Sequence, residues 1–161
     1  MNIAIYRLDI YRLLALLLAD EIIVKDAIFK DIGNDNFDNE VNRLLILVAV
    51  VTRQLLRNYS IFDKDFCGSF YHNYPVENTP KKLTFEKACS MIIHATDIDI
   101  QSQDYYYSEA ISKKPEKATY RYYQGIITVV GEKKERAELN FKEFAKYCIK
   151  LSNKAMENNY G

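Results

Sequence analysis

Lys87, Ser90 and His94 stand at i, i+3 and i+7 in the run Phe85-Glu86-Lys87-Ala88-Cys89-Ser90-Met91-Ile92-Ile93-His94-Ala95. On a helix that spacing lines an ammonium, a hydroxyl and an imidazole along one polar face. An imidazole that titrates near about pH 6.5, beside a cation and a hydroxyl, can move protons or contact a phosphate. His94 and Lys87 are therefore the candidate catalytic pair, with Ser90 as a binding neighbour. The plainer reading is a histidine near a helix C-terminus that only complements the macrodipole. His72, in Phe70-Tyr71-His72-Asn73-Tyr74, has no partner identifiable by spacing.

A second constellation is the row Lys142, Lys146, Lys150 and Lys154, four lysines at i+4 with Glu143 alone close enough to offset them. Neighbouring like charges at that spacing repel by a few tenths of a kcal/mol, roughly. Such a row can track a phosphate backbone, or it can be the solubilising outer face opposite an apolar stripe. Tyr105, Tyr106, Tyr107, Tyr120, Tyr122 and Tyr123, interleaved with Lys113, Lys114, Lys117 and Arg121, form a third. Aromatics with cations stack on unpaired bases; at strand alternation they also make half-buried cross-strand pairs. Arg121 joins the lysine row as a candidate binding residue.

The chain carries no CxxC pair, no HExxH, no glycine-rich phosphate loop and no G-x-S-x-G. Cys67, Cys89 and Cys148 lack metal-ligand spacing, and with two histidines a dedicated metal site is not expected, nor any cofactor. Cys89 and Cys148 fall on apolar helix faces, where a thiol behaves as a small hydrophobe. Free thiols in an odd number fit a reducing cytoplasm.

These residues need elements to hold them. Composition sets a globular frame: 161 residues, 48% hydrophobic, 27% charged, net charge zero. That fits one domain over residues 1–161 and argues against nonspecific duplex binding by the whole molecule. Charge is uneven: residues 1–112 hold 11 Lys/Arg against 16 Asp/Glu, and residues 113–161 hold 11 against 6. Residues 13–19 could pass for the apolar part of a signal peptide. Asp9 lies inside the would-be basic region and no A-x-A site follows, so a leader is not expected. The longest apolar run, residues 44–51, is too short to cross a bilayer, so no membrane partner is expected.

Helical composition without Gly or Pro predicts a first helix from residue 3 to about 31, with leucines around most of its girth. Gly33-Asn34-Asp35-Asn36 reads as a loop. Asp38 or Asn39 can cap a second helix to about residue 58, with Leu44, Val48, Val51 and Leu55 as its stripe. Ile46 and Val50 lie on the opposite side, so its middle is apolar all round and marks either a central helix or a subunit contact. Residues 59–82 read as a packed irregular connection. A third helix spans about 84–96, with Phe85, Ala88, Cys89 and Ile92 inward. The period then turns to two, with Ile98 and Ile100 alternating with aspartates, and again over residues 120–130. A turn at 131–134 leads to a return strand over 135–140 with Ala137 and Leu139 inward. Asn140-Phe141-Lys142-Glu143 fits a capping box for a last helix with Phe141, Phe144, Ala145, Cys148 and Leu151 on one stripe. The expected fold is mainly α (α+β): a bundle of about four helices with a small antiparallel β-hairpin before the last.

Two long amphipathic helices, then a helix with a basic residue, a six-residue gap and a histidine, resemble the HEPN superfamily over about residues 1–96. The resemblance implies a helical domain whose active members cleave RNA without metal, through an arginine–histidine motif. Other members are inactive partners in toxin–antitoxin, phage-defence or RNA-processing systems. Lys87 stands where that motif has arginine, and lysine lacks the planar bidentate hold on phosphate. An inactive or altered member is therefore implied, of microbial or mobile-element type. The expected function is a cytoplasmic, non-enzymatic interaction or regulatory domain, homodimeric, with a protein partner. One alternative is a metal-independent RNase with His94 as catalyst and Lys87 on the phosphate. The other is a nucleic-acid-binding module using the lysine row; RNA is not the favoured partner.

Overall fold

Five strands, rather than one hairpin, organise the second half of the chain. The computed structural model describes residues 2–18, 30–59, 65–76, 79–107 and 118–158. In order these form α1 (Ile3–Leu18), α2 (Lys30–Asn58), β1 (Phe66–Tyr71), β2 (Lys81–Thr84), α3 (Phe85–Ile93), β3 (Ala95–Tyr107), β4 (Ala118–Gly131), β5 (Arg136–Asn140) and α4 (Phe141–Glu157). The strands make one antiparallel sheet in the order β2-β1-β5-β4-β3. The expectation of a plain helical bundle with a single hairpin is therefore overturned: this is an α+β fold with α3 and α4 against one sheet face and α1 and α2 packed on them.

β1 and the start of β2 fall where an irregular connection was expected. Gly68, a loop signal in sequence, is the reason β1 can pair. It sits at φ +151, and a Cβ there would overlap the carbonyl oxygen of Glu138 on β5. A bulge between Phe66 and Ser69 breaks the alternation that would have marked the strand. Across the sheet the rows Phe70–Ala137–Val129–Ile98 and Gly68–Leu139–Ile127–Ile100 share one face. Phe70, Ala137, Val129, Leu139 and Ile127 are buried there. The intervening rows Ser69–Glu138–Thr128–Asp99 and Tyr71–Arg136–Val130–Asp97 form the other face. β3 and β4 continue past β5 as a two-stranded ribbon.

The helices follow the sequence more closely, with two corrections. α1 is described as far as Leu18, and its expected continuation over residues 19–29 lies outside the described residues; Lys30 and Asp31, expected at the end of the first helix, belong to α2. The expected loop at Gly33–Asn36 and the caps at Asp38 or Asn39 lie inside α2. A glycine in a helix costs about 1 kcal/mol against alanine. Propagation of an established helix, at one hydrogen bond per added residue, absorbs such a cost. α4 begins as expected: the side chain of Asn140 accepts from the Glu143 N–H at 3.2 Å.

α1 and α2 run antiparallel, because Tyr6 meets Thr52 while Arg12 acts on Glu40. The Thr52 hydroxyl donates to the Val48 carbonyl at 2.6 Å and lies 2.8 Å from the Tyr6 hydroxyl and 3.3 Å from the Cys148 sulfur. This polar knot joins α1, α2 and α4 inside an apolar core, where any one group without its partners is costly. Thr52→Val should destabilise the fold by about 1–3 kcal/mol, since it leaves the Tyr6 hydroxyl only the weak sulfur partner of Cys148. Tyr6→Phe, which leaves Thr52 its bond to Val48, should cost about 1 kcal/mol. Urea unfolding of the two variants checks the order; a Tyr6→Phe loss larger than that of Thr52→Val would show that the knot does not work in this way.

Candidate functional site

Nine residues make α3, fixed at its start by Thr84, whose side chain accepts from the Lys87 N–H at 3.2 Å. Its inner residues Phe85, Ala88, Cys89 and Ile92 are buried as their spacing predicts. The helix stops at His94, which is the exposed C-cap residue, its N–H bonded back to the Ser90 carbonyl at 3.2 Å. His94 thus stands where an imidazole complements the macrodipole.

Lys87 is engaged elsewhere. Its ammonium donates to both carboxylate oxygens of Glu135, at 3.0 and 3.1 Å, and lies 4.4 Å from the centroid of the Phe70 ring. His72 joins the same cluster: its Nδ1 is 3.8 Å from Glu135, and its ring meets Phe70 edge-on with centroids 5.0 Å apart. Glu135, with its side chain only 18% exposed, therefore takes the charge of Lys87 before any ligand can. Helical spacing could not find this cluster, because Glu135, His72 and Phe70 reach Lys87 only through the pairing of β1 with β5. Beside it, Arg136 bonds Glu138 at 2.9 Å and lies over the Tyr74 ring, and Tyr71 donates to Glu138 at 3.2 Å. The backbone of Tyr74 is tied to the Lys134 carbonyl at 2.8 Å.

Of the arginines that could serve a phosphate near α3, Arg43 is held by both oxygens of Glu40, at 2.6 and 2.7 Å. Arg53 comes beside α3 close enough to act on Cys89, and its Nε is buried with no hydrogen-bond partner among the described residues. Arg57 is exposed in the last turn of α2.

On α4, Lys142, Lys146 and Lys150 are exposed and Lys154 is half-buried. Glu143 pairs with Lys146 at 2.8 Å, and that bond, with Lys142 and Lys150 nearby, holds its carboxyl below the usual carboxylate range. The row is not a bare track. It borders a half-open cleft of ≈ 250 Å³ lined by Asp65, Phe66, Phe85, Glu143, Lys146, Tyr147 and Lys150. No sequence period could have joined Asp65 and Phe66, at the start of β1, to α4. Arg121 and the tyrosines lie on the β3–β4 ribbon, where register sets Tyr105 opposite Tyr120 and Gln103 opposite Tyr122; their side chains lie outside the described residues.

The three thiols do not take part in surface chemistry. Burial raises the titration of Cys67 and Cys89 well above the ordinary thiol value and that of Cys148 to about 11. Protonated and enclosed, they pack rather than attack. Among the described residues no group of three or more His, Cys, Asp or Glu side chains is placed to hold a metal ion, and no helix is long and apolar enough to cross a membrane. Comparison of the chain with known protein families, curated proteins and solved structures finds no match.

A thiol whose folded value is raised contributes stability below its unfolded value and loses it as pH climbs through the interval between the two. For Cys148 that interval runs from 9.0 to about 11. Unfolding free energy should therefore fall between about pH 9 and about pH 11, and less steeply in Cys148→Ala. Equal slopes for the two proteins would remove the buried thiol as a cause.

Proposed function

We propose that the chain is a non-enzymatic interaction domain that works as a homodimer through the outer faces of α1 and α2. The observation that carries this reading is an apolar helix face with nothing packed on it among the described residues. Opposite the buried line Ile3, Tyr6, Ile10, Leu13 and Leu17, α1 presents Ile5 at 56%, Leu8 at 44% and Tyr11 at 69% exposure. Because α1 and α2 are antiparallel and Arg12 stands beside Glu40, the line Arg12–Leu8–Ile5 runs along the line Glu40–Arg43–Leu47. Leu47, 40% exposed, extends the patch onto α2, with Ile46 one residue before it.

The rim favours a second copy over a partner of one charge. It carries both signs, as the pairs Asp9–Arg12 at 3.8 Å and Glu40–Arg43 at 2.6 Å. Under two-fold symmetry the acid of one protomer meets the base of the other, so such a rim is self-complementary. A contiguous exposed apolar area of this kind marks an interface more often than a solvated face.

The non-enzymatic part rests on Lys87. The alternative of metal-independent RNA cleavage asks His94 for proton transfer and Lys87 for the phosphate. The cation of Lys87 is already neutralised by Glu135. Without a positioned donor for the developing charge, phosphoryl transfer lacks its main electrostatic support.

Light scattering after gel filtration at micromolar concentration should give twice the chain mass. Leu8→Glu and Leu47→Glu should each weaken dimerisation by about tenfold or more while the circular dichroism spectrum stays unchanged. A wild-type monomer overturns the reading. Mixed RNA incubated in EDTA should survive equally with wild type and His94→Ala; cleavage that disappears in the variant would establish the enzymatic alternative.

A further inference from the structure

We infer that the cleft between the start of β1, α3 and α4 binds a nucleoside monophosphate whose base carries an amino group. This goes beyond the dimer reading and does not depend on it. The floor of the cleft is built and rigid: Phe85 and Tyr147 stack with centroids 3.7 Å apart and planes 10° from parallel, and both are buried. Phe66 stands at its edge, 38% exposed, with the Lys82 ammonium 4.7 Å from its ring centroid. The ring of Phe66, the first residue of β1, is held by Lys82 and still partly open to solvent. A ligand ring laid on it from the cleft side removes it from water and adds stacking.

The charges decide what the ring must carry. Lys146 and Lys150, one turn apart on α4, reach the same opening. Lys146 holds Glu143, while Lys150 has no ion pair among the described residues. A phosphate dianion placed between the two ammonium groups satisfies Lys150 and shares Lys146 with Glu143. Asp65 and Glu143 bring two carboxylates to the same cleft. They make its lining neutral overall, which removes the gain a polyanionic strand would draw from a lysine track. The same carboxylates accept hydrogen bonds from exocyclic amino groups, as acidic side chains do from cytosine N4. A compact ligand with an anionic end, a ring and a donor edge meets all three features. The volume of ≈ 250 Å³ leaves room for one ring and its phosphate with the sugar partly in solvent.

Isothermal titration calorimetry of the full chain tests this with AMP, CMP, GMP and UMP as ligands, and with adenosine, inorganic phosphate and a single-stranded oligouridylate as comparisons. The amino-bearing nucleotides should bind saturably, UMP about fivefold or more weaker, and adenosine and phosphate about tenfold or more weaker. Lys150→Glu and Phe66→Leu, which keeps the apolar volume and loses the ring, should each reduce binding by about tenfold. Lys133→Glu, exposed in the turn between β4 and β5, should leave it unchanged. Gel filtration and circular dichroism of each variant separate loss of binding from loss of fold. No saturable binding of any mononucleotide, binding indifferent to Phe66→Leu and Lys150→Glu, or UMP equal to AMP would overturn the inference. So would binding of the oligouridylate that mononucleotides do not displace, since that would make the row a strand track.

Discussion

Where β1 crosses β5, the α-carbon of Gly68 lies against the backbone carbonyl of Glu138, in space that any side chain would fill. That close approach is the hinge of the architecture. It adds β1 and β2 to the sheet made by β3, β4 and β5, and so closes the apolar layer of Cys67, Phe70 and Leu83 over Leu139 and Ala137. It brings Phe70 and His72 to Lys87 and Glu135 on one side of the crossing. On the other it sets Asp65 and Phe66 beside α4, where they make the cleft. A residue with a Cβ at 68 must push β1 off β5, and both clusters separate together.

The fate of Lys87 follows from that crossing. Read along its own helix, it belongs with Ser90 and His94, and the face they share is polar as expected. Read across the sheet, it is the counter-ion of Glu135, and it covers an aromatic ring as well. A half-buried ion pair with two hydrogen bonds and a cation–π contact holds a lysine far more firmly than i, i+3 and i, i+7 neighbours, whose effects are worth a few tenths of a kcal/mol, roughly. Local geometry placed the residue, and the tertiary fold chose its partner.

The same division explains what could be read before the structure. Residues 126–130 and 136–140 alternate, and the strands and the turn between them lie where that alternation puts them; so does the Asn140 cap, a signal contained in four residues. The inner faces of α3 and α4 obey a helical period and are buried. β1 is opaque because its evidence is inverted. Its glycine reads as a break, its bulge removes the period of two, and its partners lie on β5 and β2, the former about 70 residues later in sequence. The helical bundle was the economical inference from four amphipathic segments, and it fails because a strand with a glycine at its crossing point carries no local signature. Of the candidate site, the lysines were legible as a row, but not the carboxylates and ring that turn part of it into a cleft.

α1 and the cleft meet α4 at different places. Arg7 of α1 donates to Asn153 at 2.7 Å and approaches the Met156 sulfur, in the last turns of α4. The cleft uses Glu143, Lys146, Tyr147 and Lys150, in its first half and on the side toward α3. The two neighbours divide the helix between them, which accounts for its outer face being lysine-rich without being featureless. Ile149, 37% exposed, lies on the α1 side of the row, while Glu143 and Lys150 lie on the cleft side. A second copy seated on α1 and α2 therefore leaves the cleft open, and a ligand in the cleft touches neither Leu8 nor Leu47. The two surfaces can be occupied together, and α4, packed against α1, and α3, packed against α2, both carry rings of the cleft floor and so link the two.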